Sequence, residues 1–282
     1  MRSIQNILTA IDAPIDDLIT FRAMPTRSIG NLDPFLFLNH HGPQTYPPDN
    51  NGLPFGPHPH KGFETLTFIL KGDLTHMDTS GGRSVIKEGG VQWMTAGRGL
   101  VHAEISSDEF KKKGGLVEII QLWLNLPSRL KQTEPKYTGL QKNKIPVARM
   151  DKGKVLVHLV SGKTDGITGP VESLTDIYTS LIEFRKDGTY QAIVNMSHNI
   201  LFYVVKGIVA VNGQKAGTHD LVVFGYNDTG IEIKAMDDAT VIFCHGEPFH
   251  EPIVAQGPFV MNNAEEIREA YMEYQDGRMG TF

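Results

Sequence analysis

Short runs of β-branched and aromatic residues, each closed by Gly, Asp, Asn or Pro, recur along almost the whole chain. Examples are "ETLTFILKG" (64–72), "VQWMTAG" (91–97), "GLVEIIQLWLNLP" (115–127), "KVLVHLV" (154–160) and "LFYVVKGIVAVNG" (201–213). Runs of this kind, with no helical segments between them, do not make alternating βα units; they make a sandwich or a barrel. In "SLIEFRKDGTYQAIV" (180–194), Asp187-Gly188 reads as a hairpin turn between two strand-like arms. Helical spacing is convincing only near the end. In 262–280, Ile267, Ala270, Tyr271 and Tyr274 fall at i, i+3, i+4, i+7, Asn262 or Asn263 can cap the start, and Gly277 can end it.

The strand texture also repeats. Residues 67–99 lie over 201–230, with Lys71-Gly72 on Lys206-Gly207 and, after a gap in a turn, Val91 on Leu221. The expected fold is therefore all-β, with two similar lobes. Residues 126–146 are polar and proline-punctuated and serve as the junction, so the lobes are taken as 1–135 and 136–282, the second carrying the terminal helix.

Composition narrows the function classes. The 282 residues are 40% hydrophobic and 21% charged, enough for a core, and the net charge of −5 offers no basic footprint for direct nucleic-acid binding. Lys111-Lys112-Lys113 has no interleaved aromatics and reads as a solvated turn. Cys244, the only cysteine, excludes an intrachain disulfide, points to a reducing compartment and, in an apolar strand, reads as a buried inert thiol. The N-terminal residues lack an uninterrupted apolar signal core, and stretches such as 201–205 are too short to cross a bilayer. A soluble, cytoplasmic, monomeric protein without membrane association is the expectation.

Chemistry concentrates in two short stretches. In "GPHPHKGFET" (56–65), His58 and His60 are two residues apart, and Pro59 favours extended backbone before it. On a strand they share a face. In "GRGLVHAEISS" (97–107), His102 and Glu104 repeat the spacing after Gly97 and Gly99. Three imidazoles and a carboxylate from one β lobe form a candidate metal set. His40-His41, beside Gly-Pro, and His76, among polar neighbours, read as surface residues; His158, His198, His219, His245 and His250 have no ligand pairing. Trp93 and Trp123 read as core rather than as a substrate platform.

"HPHKGFET" (58–65), "ILKGDLTHMDTSGG" (69–82) and "GGVQWMTAGRGLVHAE" (89–104) resemble the pirin family of the cupin superfamily, as do "IIQLWLNLP" (119–127) and "EPIVAQGPFVMNNAEEI" (251–267). The resemblance implies a bicupin of two β-barrel (jelly-roll) lobes. It implies one metal, usually iron, in the N-terminal lobe, with His58, His60, His102 and Glu104 as ligands. Many cupins take their carboxylate ligand four or five residues after the second histidine, where Glu64 stands; the pirin pattern gives that role to Glu104 and leaves Glu64 a structural or outer role. Gly97 replaces the proline usual in the second cupin motif.

With no thiolate in the set, three nitrogens and one oxygen suit iron, manganese, nickel, cobalt, copper or zinc, and iron rests on the resemblance. The activity implied is a mononuclear dioxygenase that opens flavonols such as quercetin with dioxygen and releases carbon monoxide, with Glu104 as general base. The alternative is a non-enzymatic, iron-dependent regulator that docks a partner. On the repeat alignment His58, His60, His102 and Glu104 fall on Ile193, Asn195, Glu232 and Lys234, so the second lobe is expected to be a degenerate copy without metal.

Overall fold

A computed structural model describes residues 1–282. It is built of antiparallel strands with two α-helices. The chain divides into two compact units, neither continuous in sequence. One comprises Asp12–Phe21, Phe35–Asn143 and Phe249–Phe282; the other comprises Met1–Ile11, Arg22–Pro34 and Lys144–Pro248.

In the first unit, the strands Lys136–Leu140, Val91–Thr95, Phe63–Lys71, Gly115–Asn125 and Phe35–Tyr46 lie side by side in the larger sheet. Phe55–His60, Leu100–Ile105, Asp73–Asp78 and Arg83–Lys87 form the smaller one. The second unit repeats this plan. Asp220–Phe224, Asn199–Lys206, Ala239–Gly246, Tyr178–Phe184 and Val155–Ser161 stand in the larger sheet, and Thr189–Ile193, Gly230–Ala235, Ile208–Val211 and Gln214–Gly217 in the smaller. The N-terminal strand Ile4–Thr9 extends the larger sheet by pairing with Asp220–Phe224.

Asp187-Gly188 does form a turn, with Asp187 at φ +63, but it joins no hairpin. Tyr178–Phe184 pairs with Val155–Ser161 and Ala239–Gly246, whereas Thr189–Ile193 pairs with Gly230–Ala235 in the other sheet. The turn is a barrel corner, where the chain changes sheets. The helix Ala264–Gln275 matches its sequence signals. Asn263 Oδ1 accepts from Glu266 N at 2.9 Å, Ile267 and Ala270 are buried, and Gly277 stops it at φ +72. A second, short helix, Asp108–Lys113, holds the lysine run in its last turn and is capped by Ser107 Oγ. No helix is long and apolar enough to cross a membrane.

Register defines the barrel interior of the first unit. Ile69 pairs with Ile119 and lies with Leu74, Ile86, Val117 and Phe110 in an apolar cluster. Two residues along, Thr67 faces Gln121 and Gln92, and two further on, Thr65 faces Trp123 and Met94. Side chains alternate strictly along a strand, so the interior grades from an apolar floor to a polar region at the other end. The gradient is weaker in the second unit, where only Ser180, Tyr178 and His245 follow Phe243 along the inward face. Its interior is filled by Val157, Phe202, Val204, Val209, Ile233, Phe243 and their neighbours.

Candidate metal centre

The two histidine motifs lie on paired strands. His102, on Leu100–Ile105, is the direct register partner of His58, on Phe55–His60, and Leu100 is the partner of His60. Ring centroids are 4.4 Å apart for His58 and His102, and 4.8 Å for His60 with either of the others. One nitrogen from each ring lies within 4.8 Å of the others.

Hydrogen bonding sets the tautomers. His58 Nδ1 is 2.7 Å from the Gly56 carbonyl and His60 Nδ1 is 3.2 Å from the Pro258 carbonyl. A carbonyl only accepts, so both Nδ1 atoms carry hydrogen and both Nε2 atoms keep a lone pair, the form a metal requires. His102 is fully buried, and neither of its ring nitrogens has a partner. A buried orphan of this kind is costly, and a cation on one nitrogen removes half of the cost. Burial, aided by the neighbouring imidazoles, lowers the pKa of His102 well below its ordinary value and takes His60 down to about 3; burial also lowers His58. All three rings are therefore neutral donors at pH 7, and the residues fit a divalent cation.

Glu104 is not within the three-histidine group. It is buried on the same strand face as His102, with Oε2 accepting from Gln121 Nε2 at 2.6 Å and Oε1 from Thr67 Oγ1 at 3.3 Å. Burial raises its pKa to about 7 despite those two bonds. Glu64 is elsewhere. Gly62, at φ +88, breaks the strand after His60, and Glu64 pairs with Thr95, whose Oγ1 donates to its Oε1 at 2.6 Å. Register puts that pair on the opposite sheet face from Thr65 and Thr67, so Glu64 points out of the barrel.

Three histidines read as surface residues are buried: His40, His41 and His76. His40 Nε2 lies 3.1 Å from Glu118 Oε1, and His41 Nδ1 2.8 Å from Thr20 Oγ1. His76 is register partner to Glu104, stacks on Tyr137 at 3.9 Å, and has Nε2 2.7 Å from Asp78 Oδ2. Its polar neighbours suggested exposure, but the interior here is itself polar. Leu74, two residues earlier and on the apolar floor, was the available sign that His76 faces inward. Trp93 is core, as is Cys244; Trp123 is half-buried, stacked on Phe37 and Phe63 and edge-on to His60 at 5.3 Å.

Pairing also corrects the repeat alignment by one residue. Leu74 and Val209 follow Gly72 and Gly207 at the same offset and both face inward, so His76 matches Val211. Val211 pairs with Ile233 where His76 pairs with Glu104, which matches Glu104 to Ile233 and His102 to Ile231. Ile231 pairs with Ala192, the match of His58, and His60 falls on Val194. Ile193, at 86% exposure, points into solvent. The second barrel presents four apolar side chains where the first presents four ligand types.

The Pirin family profile matches residues 18–124, and that of the pirin C-terminal cupin domain matches 181–280. The chain belongs to the pirin family. A Pseudomonas aeruginosa relative, which bears the provisional name quercetin 2,3-dioxygenase, is 33% identical over 248 residues, covering 88% of this chain and 87% of its own. A crystal structure of quercetin 2,3-dioxygenase from Acinetobacter baumannii superposes with a TM-score of 0.94 at 32% identity, over 100% of this chain and 99% of that one. The bacterial pirin YhhW from Escherichia coli, solved in complex with nickel(II), shares the fold with a TM-score of 0.68 at 22% identity, over 86% of this chain and 100% of that one. This pirin is thus a bicupin with a three-histidine cluster suited to a metal in its first barrel.

Proposed function

We propose that this pirin is a mononuclear metal dioxygenase that opens flavonols such as quercetin with dioxygen and releases carbon monoxide. The ligands would be His58, His60 and His102, with Glu104 as the fourth. The observation that carries the reading is the convergence of three neutral imidazoles, two held by backbone carbonyls and one orphaned at both nitrogens. The names of the Pseudomonas and Acinetobacter relatives point to the same chemistry. Three nitrogens and an oxygen suit first-row divalent ions in general, and Fe2+ is favoured by the family resemblance. Such an ion, when bound, would supply Lewis acidity toward a phenolic oxygen and the redox chemistry for dioxygen.

The chain's own residues do the rest. Glu104, buried on the same strand face as His102, takes the proton of the flavonol 3-hydroxyl. Gln121 and Thr67 hold that carboxylate in place. Trp123 and Phe63, beside His60, give a planar aromatic substrate an apolar wall and exclude water. The test is metal analysis of the purified protein together with aerobic turnover of quercetin, followed as loss of its visible absorbance. Turnover that needs the metal and is lost in H102A is expected. A metal-loaded protein that leaves quercetin unchanged would overturn the dioxygenase reading in favour of a regulator.

A further inference from the structure

Two buried nitrogens of the first barrel each lack what the other offers. When one nitrogen of His102 takes a cation, its other nitrogen carries hydrogen, and that hydrogen has no acceptor. His58 and His60 give theirs to the Gly56 and Pro258 carbonyls; His102 has no equivalent. His76 has the opposite deficit. Its Nε2 faces the Asp78 carboxylate at 2.7 Å, and a carboxylate only accepts, so Nε2 bears the hydrogen and Nδ1 keeps a lone pair. That Nδ1 is buried and has no partner. The two rings are 5.5 Å apart, centroid to centroid, at 48°. Asp78 is itself held by Ser80 and the Gly82 amide, and Tyr137, stacked on His76 at 7° and tied to Ser84 at 2.5 Å, fixes the ring plane.

The geometry points to His76 as a positioning residue for the metal centre. Asp78 sets its tautomer so that Nδ1 accepts the hydrogen of the outer nitrogen of His102, after a small ring turn or through one water. Asp78, His76 and His102 then form a chain that ends on the cation and aims the one ligand ring that no backbone carbonyl orients. This rests on the metal reading given above, and it adds a residue that the ligand pattern does not contain.

The experiment is a Co2+ affinity series, by competition with a chromophoric chelator, on the full chain and on H76F, H76N and H76Q. Phenylalanine keeps the stack on Tyr137 and removes both nitrogens. Asparagine puts an amide oxygen near the place of Nδ1, glutamine near that of Nε2. The Co2+ Kd should rise about 10- to 100-fold in H76F and H76Q and stay within about threefold of wild type in H76N. The Co2+ ligand-field bands should move in the first two and not in the third. A merely structural role would weaken all three alike, and that result overturns the inference, as does an H76F protein that binds like wild type. Metal-free melting temperatures check folding, and where H76F does not fold, the asparagine–glutamine contrast decides. A wild-type chain that fails to bind Co2+ is a different failure, that of the metal reading itself.

Discussion

Gly62 stands between the strand that ends in His60 and the strand that carries Thr65 and Thr67, at φ +88. A Cβ there would overlap the Val260 carbonyl oxygen outright and lie 2.8 Å from Met261 Sδ. Gly81 has nearly the same backbone, φ +91, with nothing within 4 Å of its Cβ position. The pair separates backbone strain from steric overlap. Gly81→Ala should cost about 1–2 kcal/mol, the left-handed penalty alone. Gly62→Ala carries the same penalty and must also displace Val260. That carbonyl accepts from the buried Lys131 ammonium at 3.0 Å, and Lys131 also donates to Gly62 O at 2.8 Å. Losing a bond to a buried charged donor adds about 1–3 kcal/mol, before any repacking around Phe259 and Met261. Gly62→Ala should therefore be the more destabilised by at least about 1 kcal/mol, read as urea midpoints by tryptophan fluorescence. It should also lose metal, because Pro258, two residues before Val260, supplies the carbonyl that orients His60. Equal midpoints for the two variants would refute the reasoning.

Replacement of His58, His60 or His102 by Ala should each lower metal occupancy and abolish turnover, whereas Glu104→Gln should keep part of the metal and lose rate; a Glu104→Gln enzyme at wild-type rate would remove Glu104 as the base. Metal analysis should give one ion per chain, unchanged in His198→Ala and Glu232→Ala; a ratio near two that falls to one in either variant would show that the second barrel also binds. His245, held down to about 3 by burial and by His198 and Arg2, resists protonation when folded. A depressed histidine pKa stabilises above the unfolded value, near 6.5, and that stability is lost as pH falls from there toward 3. The acid limb of the urea midpoint should thus be shallower in His245→Phe, which keeps the stack on Tyr178; identical limbs would assign the acid loss to other groups.

The two candidate ligand motifs were legible because i, i+2 spacing survives any uncertainty about where a strand begins. His58 and His60 share a face in any extended segment, and so do His102 and Glu104. The strand texture and the terminal helix were legible for a similar reason: both rest on local periods. What was hidden depends on contacts far apart in sequence. The Pro258 carbonyl on His60 and the Glu273 carboxylate on Lys61 join residues about two hundred positions apart, and no local pattern encodes them. His76 was misread because alternation of polar and apolar residues signals exposure only when the interior is apolar. The repeat alignment slipped by one because turns of different length intervene, and a slip of one exchanges the two faces of every strand.

That polar interior has a thermodynamic consequence. His76 Nδ1, both nitrogens of His102 and Gln92 Oε1 are buried without partners in the first barrel, whereas aliphatic and aromatic side chains make up most of the second, where Tyr178 Oη is the buried barrel group without one. Each unmet group costs about 1–3 kcal/mol, so the first unit gives up stability for its site and should recover part of it from a cation. At a free-metal concentration of 100 Kd the recovery is about 2.7 kcal/mol. The two units can be read separately. Trp93 and Trp123, the only tryptophans, both lie in the first unit, so fluorescence reports that unit while far-UV circular dichroism reports strands of both. Chelation should move the fluorescence transition to lower urea and leave a later dichroism phase from the second unit where it was. In H102A the fluorescence transition should no longer respond to metal. Two probes that shift together on chelation, by the same amount, would mean that the cation stabilises the whole chain and that its effect is not local to the polar barrel.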